Sequence, residues 1–284
     1  MKNIFLIILS VLIFSSCERE SEWPTDEGKL PLLVVQAMFT NEVKTQEVIL
    51  SLPVTSPNNV PVMITGADVK IIDGIGTIYT FTEDSLNPGY YYSDVVFGGT
   101  PGQSYSLLLR FVPGGIWEGY DVMPPAELFT PLSLTLVNEE DSLYKIAYVC
   151  QNYDPSKFAM YEISLDWSGV PGYDTVENKA TLYYYTLGSL DMGEVLQTDL
   201  ESVTFPKGTL IKERRYSISA SYAAWLREIL IETQWNNGIV VTQPGNALSN
   251  MIMSVNAGDD TTDRNNIAGF FSACSVVEWN GVAQ

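Results

Sequence analysis

The segment Ser104–Phe111, SYSLLLRF, decides the fold prediction because its side chains alternate in character with a period of two. Successive side chains of an extended chain point to opposite faces, so one face of this segment is apolar and aromatic. The side chains of that face are Tyr105, Leu107, Leu109 and Phe111. Such a pattern is typical of a strand that packs one face against a core.

The same alternation recurs upstream of this segment. One further apolar set consists of Val48, Leu50, Leu52 and Val54. Turn-forming residues separate the alternating segments at Ser56–Asn59, Asp73-Gly74, Asn87–Gly89 and Gly98–Gly102. Several short strands at this spacing, without a helical pattern between them, predict a β-sandwich domain over residues 30–123.

Residues 124–284 begin at a proline pair and are less regular than the preceding part. They contain one convincing helical pattern, at about 217–237, which ends near Asn237-Gly238. Its apolar stripe consists of Tyr222, Trp225, Leu226, Ile229 and Leu230. Candidate N-caps are Ser217, Ser219 and Ser221. A helix with such a stripe is expected to be buried against a sheet, and with the last strand, Ile267–Val277, it predicts a β-rich α+β domain.

The first residues have the proportions of an export signal. Lys2 supplies a positive start, residues 4–14 form an apolar run, and two serines precede Cys17. The run is too short for a stop-transfer helix. Because the arrangement resembles the bacterial lipobox, residues 1–16 are predicted to be a lipoprotein signal peptide and Cys17 the lipidated residue. An ordinary secretory signal or a short membrane anchor is the alternative.

Residues 17–29 are predicted to form an acidic tether between the lipid and the fold. An acid-rich tract directly after the lipidated cysteine resembles the signal that sends lipoproteins of the Bacteroidota to the cell surface. The alternative is that the glutamates and serines simply keep a linker solvated.

Charge and composition exclude several classes of function. The formal net charge of −19 repels nucleic acid, which excludes DNA or RNA binding. The chain has no histidine, which excludes Ser–His–Asp and Cys–His catalysis and histidine-ligated zinc. Glycine-rich phosphate-binding motifs are absent from the sequence, so a nucleotide ligand is not expected.

Two cysteines remain after Cys17, and the sequence allows two interpretations of them. Cys150 and Cys274 could form a disulfide, which would close a long loop and restrict the unfolded chain. The alternative is a pair of buried free thiols that behave as small apolar side chains.

Several local patterns resemble one family. Gly66–Ile71, Asn87–Tyr91 and Gly102–Leu107 follow one another as in the carboxypeptidase-regulatory, transthyretin-like sandwiches. Together with the helix, Pro244–Asn246 and Gly269–Ala273, they resemble an uncharacterised-domain family of Bacteroidota outer-membrane lipoproteins. Genes of that family commonly lie beside TonB-dependent (SusC-type) receptors. The resemblance therefore implies an immunoglobulin-like or transthyretin-like first domain and a receptor as partner, and it implies no catalytic residue.

Aromatic side chains are the best sequence indication of a binding surface. The candidates for contact with a ligand or partner are Tyr90, Tyr91, Tyr92, Tyr183, Tyr184, Tyr185 and Trp117. A strand places at least one ring of each tyrosine triplet on each of its faces. Trp117 is flanked by glycines at 114, 115 and 119, which indicates an exposed loop. Flat exposed rings suit stacking on sugars or peptides and suit protein interfaces; ordinary β-sheet packing is the alternative.

The sequence gives weaker indications of a calcium site and of a glycoside hydrolase site. Residues 256–263 concentrate oxygen ligands that would suit Ca²⁺, but Ile267 stands where the calcium-binding EF-hand loop has a glutamate, so a solvated loop is favoured. Asp166-Trp167 and Glu278-Trp279 are the carboxylates to examine for glycoside hydrolysis, because an adjacent ring could raise a carboxyl pKa. We predict no metal, no cofactor and no enzymatic activity.

The sequence thus favours a binding protein on a membrane surface. We expect a surface-exposed, lipid-anchored outer-membrane protein that captures substrate for a TonB-dependent transporter. The alternatives are a stand-alone glycan- or peptide-binding adhesion module and a structural subunit of an outer-membrane assembly complex.

Overall fold

The computed structural model describes residues 33–54, 59–111, 115–138, 142–149, 154, 156–173, 178–187, 203–233, 247–254 and 267–284. Fifteen strands and one helix lie within these ranges. They are β1 Leu33–Thr40, β2 Glu47–Ser51, β3 Asp68–Asp73, β4 Ile78–Glu83, β5 Tyr90–Ser93, β6 Ser104–Phe111, β7 Gly115–Val122, β8 Ser133–Asn138, β9 Leu143–Tyr148, β10 Ala159–Asp166, β11 Lys179–Thr186, β12 Phe205–Pro206, β13 Leu210–Ser217, α1 Ala220–Thr233, β14 Met251–Ser254 and β15 Ile267–Val282.

The predicted mainly β fold is confirmed. Twelve strands form one sheet in the order β11-β10-β13-β15-β1-β2-β5-β4-β3-β6-β7-β14, and β12, β9 and β8 form a small second sheet. The long sheet folds back on itself, because Phe39 of β1 packs edge-on against Tyr105 of β6 with ring centroids 4.7 Å apart, although several strands separate β1 from β6 in the sheet. The two layers enclose an apolar core, which is the arrangement of a β-sandwich.

A buried carboxylate joins the two layers. Asp121 of β7 is 3 % exposed and accepts a hydrogen bond from the backbone N–H of Ala273 in β15 at 2.9 Å. The hydroxyl of Ser221, in the first turn of α1, lies 3.3 Å from the same carboxyl group. Burial raises the pKa of Asp121 above its ordinary value, because the charged form loses hydration. Three elements are thereby held together at one side chain.

The last strand, β15, organises the sheet. It pairs in parallel with β1 and antiparallel with β13, so it lies between strands that are far apart in sequence. It extends to Val282, beyond the predicted end at Val277. Residues Pro31–Gln284 form one compact unit, and the proposed domain boundary near Pro124 stays a prediction.

The period-two alternation predicts burial well where the chain is in a strand. Tyr105, Leu107 and Leu109 are at most 3 % exposed, as expected for the core-facing side of β6. Val48 and Leu50 are fully buried, but Leu52 and Val54 are 37 % and 46 % exposed. The prediction is wrong for this last pair because β2 ends at Ser51.

The predicted helix is present and begins later than expected. Ser217 belongs to β13, and α1 begins at Ala220. Ser219 is the N-cap, because its Oγ accepts a hydrogen bond from the backbone N–H of Tyr222 at 3.1 Å. The apolar stripe packs onto β15 and β13 as predicted, with Tyr222, Leu226 and Leu230 in one cluster with Phe270, Cys274 and Val276. Residues after Thr233 that were predicted to complete the helix lie outside the described residues.

Candidate functional site

A groove of about 800 Å³ lies between helix α1 and the outer face of the large sheet. Its floor is formed by residues of β1, β2, β5 and β15, and its wall by side chains of α1. Ligand sites in proteins commonly have volumes of this order and combine a mainly apolar lining with a few polar groups. The groove is therefore the candidate site.

The floor follows from strand register. The outer face of β1 presents Gln36 between two partners, Ile49 of β2 and Phe270 of β15. One step along the sheet, Tyr92 of β5 is paired with Glu47 of β2. Because side chains alternate, these residues share the face that the sandwich core does not use. The floor is thus an apolar and aromatic surface crossed by polar side chains.

The wall is a cluster of stacked rings. Tyr222 and Trp225 lie nearly parallel, with centroids 5.7 Å apart and an interplanar angle of 15°. Both rings pack on Phe270 of the floor, at 5.3 Å and 5.5 Å. The indole Nε1 of Trp225 has no hydrogen-bond partner among the described residues, which is unusual for a buried donor. Rings packed in this way form a rigid wall at low entropic cost to a ligand.

Polar groups lie at one end of the groove. Lys44 and Glu47 are exposed there, and Lys44 forms an ion pair with Glu42 at 2.8 Å. A hydrogen bond to the Glu47 carboxylate raises the pKa of the Tyr92 hydroxyl, because it stabilises the protonated phenol. The groove therefore offers rings for stacking together with hydroxyl, carboxylate and ammonium groups for orientation.

A buried glutamine holds this end in place. Gln46 is 1 % exposed, and its Nε2 donates hydrogen bonds to the carbonyl oxygens of Glu42 and Phe97, each at 2.9 Å. Its backbone N–H donates to Ser93 Oγ at 2.9 Å. These bonds tie the turn between β1 and β2 to the end of β5. These bonds hold the backbone segment that carries Lys44 and Glu47.

The first tyrosine triplet divides between two faces, as predicted. Tyr92 lines the groove, whereas Tyr91 is fully buried and its hydroxyl donates to the carbonyl oxygen of Ile64 at 2.8 Å. Tyr90 shares the outer face with Tyr92 because side chains two positions apart in a strand point to the same face. Tyr91 therefore serves the core, and Tyr92 is the member of the triplet that the structure brings to the groove.

The second tyrosine triplet lies in β11, at the edge of the large sheet. Tyr183 is 48 % exposed, Tyr184 is buried, and Tyr185 packs partly buried against the cluster beneath α1. None of the three lines the groove. They stay candidates for a separate contact.

The predicted loop position of Trp117 is wrong. Trp117 lies in β7, is fully buried, and stacks on Phe111 with centroids 4.6 Å apart. The neighbouring Gly119 serves packing, since a Cβ there would lie 2.2 Å from Sδ of Met251. Gly119 is one of the glycines that indicated a loop, and its lack of a side chain lets β14 and β15 pack closely on β7.

The structure describes only part of the cysteine and loop predictions. Cys274 is a free thiol that is completely buried, and the interpretation of the pair stays a prediction. Cys150, the lipidation candidate Cys17 and the acidic loop 256–263 lie outside the described residues. Among the residues that the structure describes, no cluster of three or more metal-ligating side chains occurs.

The expectation of raised carboxyl pKa values at the two Asp/Glu-Trp pairs is wrong. Hydrogen bonds from Lys179 and Ser168 lower the pKa of Asp166 to about 2. Hydrogen bonds from Asn280 and Lys212 lower the pKa of Glu278. Cations and donors, rather than the neighbouring rings, determine the ionisation of both carboxyl groups. Such groups are poor general acids at neutral pH.

Sequence reasoning missed Trp225 and Phe270 as site residues. It assigned the helical stripe to the core, which is correct for Leu226 and Leu230. Trp225 is only partly buried and stands at the margin of that stripe, where one side of its ring lines the groove. A large aromatic residue at the edge of an amphipathic stripe was the available signal.

Comparisons with known proteins give a family and no activity. No curated protein matches the chain. Among solved structures, the crystal structure of chicken CNTN1 FN1-FN3 domains is similar at 11% identity with a TM-score of 0.26, and the match covers 68% of this chain and 64% of that one. No helix in the described ranges is both long and apolar enough to cross a membrane. Residues 18–279 match the family described as "Domain of unknown function (DUF4249)", and the chain therefore belongs to the DUF4249 family.

Proposed function

We propose that this protein is a lipid-anchored outer-membrane protein that faces the cell exterior and captures substrate for a TonB-dependent transporter. The groove beside α1 is its ligand site. The observation that carries this proposal is the combination of aromatic wall, aromatic floor and fixed polar end in one groove of about 800 Å³.

The lining suits a ligand with flat apolar faces and polar edges. Tyr92 on the floor and Trp225 on the wall offer rings for stacking, which suits sugar rings or the side chains of a peptide. Gln36, Lys44 and Glu47 can hydrogen-bond the polar edges of the same ligand. Short glycans and peptides are therefore the expected substrate classes.

The anchor and the partner are supported by the sequence. An acyl chain on Cys17 would confine the protein to the plane of the membrane, where its effective concentration near a receptor is high. The family match begins at residue 18, directly after that cysteine. Hand-over of ligand to a transporter then requires only a weak interface.

The activity proposed is binding without catalysis. A stand-alone glycan- or peptide-binding adhesion module would use the same groove but would need no receptor. A structural subunit of an outer-membrane assembly complex would need no ligand. Ligand binding distinguishes the structural subunit from the other two candidates. A co-purifying receptor distinguishes the transporter subunit from the adhesion module.

Replacing Tyr92 by alanine is expected to weaken ligand binding at least roughly ten-fold, because central aromatic side chains carry most of the energy of such sites. The probes are panels of neutral oligosaccharides and of peptides with aromatic residues. The readout is the unfolding midpoint of the full chain in detergent, which a bound ligand raises. Trp225→Ala should have the same effect from the wall of the groove.

Tyr183→Ala is the matched control, since it removes a partly exposed strand tyrosine that does not line the groove. We expect it to keep the ligand-induced shift. No shift with any probe, or a shift that survives both Tyr92→Ala and Trp225→Ala, would contradict the proposal. A shift lost only in Tyr183→Ala would assign binding to the edge strand β11.

A further inference from the structure

A second pocket, of about 250 Å³, lies away from the groove on the other face of β10 and β13. The segment Glu127–Thr130 runs over this face and forms one side of the pocket. It is fastened at both ends: Lys157 forms an ion pair with Glu127 at 2.7 Å, and the Leu132 N–H donates to buried Glu213 at 2.9 Å. The pocket is therefore built from fixed elements.

Arg215 of β13 lines this pocket and is only 5 % exposed. Its Nε donates a hydrogen bond to the Tyr161 hydroxyl at 3.2 Å, and its Nη1 donates to the Ser217 hydroxyl. Both partners are neutral. No carboxylate of the described residues forms an ion pair with Arg215, and its Nη2 makes no hydrogen bond to them.

The neighbouring arginine, in contrast, is paired with carboxylates. Arg214, on the opposite face of β13, lies 2.6 Å from Glu42 and 3.7 Å from both Glu162 and Glu278. Among the described residues, three carboxylates surround the more accessible Arg214, and none forms an ion pair with the more buried Arg215. A buried charge without a counter-ion is costly, and a bound anion would remove that cost.

The other charges of the pocket do not neutralise Arg215. Glu127 is engaged by Lys157, and Asp154 accepts hydrogen bonds from the N–H and hydroxyl of Ser156 at 2.9 Å and 2.6 Å. Lys157 lies close enough to Arg215 for the two cations to repel each other. An anion between them would be attracted by both.

We propose that this pocket binds the carboxylate of a small organic anion, with Arg215 as the principal ligand. The planar guanidinium matches a carboxylate through paired N–H donors. A volume of about 250 Å³ holds roughly eight water molecules, which is the space of one sugar acid or one terminal amino acid. Phe129 and Tyr161, whose rings meet edge-on at 6.0 Å, supply apolar contact for the body of the ligand.

The test is calorimetric titration of the full chain in detergent at constant ionic strength. The probes are D-glucuronate for a sugar acid, N-acetylglycine for a peptide terminus, and D-glucose as the neutral counterpart. We expect at least one anion to bind with a dissociation constant on the order of 1 mM or lower, and glucose not to bind. The anion that binds more tightly identifies the source of the carboxylate.

Arg215→Gln is expected to weaken that binding roughly ten- to hundred-fold, because a charge-assisted pair of hydrogen bonds is lost. Arg214→Gln is the matched control and should bind as the unaltered protein does. Absence of binding by both anions, or equal binding by Arg215→Gln, would overturn the proposal.

A second pair of variants covers the case in which Arg215→Gln does not fold. Lys157→Gln removes a half-exposed cation at the pocket and should weaken anion binding several-fold. Lys179→Gln removes a similar exposed lysine that pairs with Asp166 and does not line the pocket. Equal affinity of these two variants would overturn the proposal. Failure of either test leaves the groove beside α1 unaffected.

Discussion

Replacing Gly269 by alanine is expected to lower the free energy of unfolding by about 3 kcal/mol or more. Gly269 lies in β15 opposite Val35 of β1, with a φ of 85° that favours glycine. A Cβ at this position would lie 1.9 Å from the carbonyl oxygen of Val35, which is a backbone atom and cannot rotate away. The two strands would have to separate.

The cost of that separation follows from the place of the pair in the fold. The parallel pairing of β1 and β15 connects the first and the last of the described strands. Gly269 also lines the groove, so its loss would distort the floor. The expected loss is a substantial part of the total stability of an ordinary domain, which is about 5–15 kcal/mol.

Gly76→Ala is the matched control for this change. Gly76 has a similar φ of 91°, but nothing lies within 4 Å of the position of its Cβ. It should therefore show only the cost of the backbone conformation, about 1 kcal/mol. Urea titration followed by circular dichroism measures both variants. Equal losses in the two variants would contradict the close approach of β1 and β15.

Replacing Glu213 by glutamine is expected to stabilise the protein increasingly as the pH rises from about 5 to about 7. Glu213 is fully buried, and its Oε2 accepts a hydrogen bond from the Leu132 N–H at 2.9 Å. Its Oε1 has no partner among the described residues. Burial raises the pKa of this carboxyl group from 4.5 to about 7, because the charged form is poorly solvated.

The sign of the effect follows from proton binding. Between pH 4.5 and about 7 the folded state holds the proton of Glu213 and the unfolded state has lost it. The stability of the unaltered protein therefore falls as the pH rises through this window, by up to about 3 kcal/mol. The glutamine variant has no proton to lose, and its amide oxygen can accept from Leu132 in the same way.

Urea titrations of both proteins at several pH values measure this difference. We expect the free energy of unfolding of Glu213→Gln, relative to the unaltered protein, to rise with pH and to level off above pH 7. Parallel stability curves from pH 5 to 8 would show that Glu213 is ionised in the folded state throughout.

The parts of the fold that sequence could predict depend on local pattern. Alternation identified the buried face of β6 because Tyr105, Leu107 and Leu109 meet the core without interruption. The stripe of α1 could be predicted equally well, because apolar side chains lie on one face of the helix and polar side chains on the other. Trp117 was misread because glycine beside an aromatic residue can indicate either a loop or a closely packed strand, and only the position of Met251 decides between them.

Neither pocket could be predicted, because both depend on contacts between distant segments. The groove exists because β15 inserts between β1 and β13, which no local pattern encodes. In β13 the charged run Lys212–Arg215 looks solvent-exposed in the sequence. Alternation along β13 places Glu213 and Arg215 on the buried face of the strand and Lys212 on the exposed face. The burial of Glu213 and Arg215 also depends on the segment Glu127–Thr130 and the adjacent Leu132, which cover that face.

The most direct test of the proposed role is purification of the native protein from detergent-solubilised outer membrane, with mass spectrometry of the recovered species. The expected result is a chain that begins at an acylated Cys17 and co-purifies with a TonB-dependent β-barrel receptor. Recovery of the chain alone, with an unmodified N-terminus, would contradict both the anchor and the partnership.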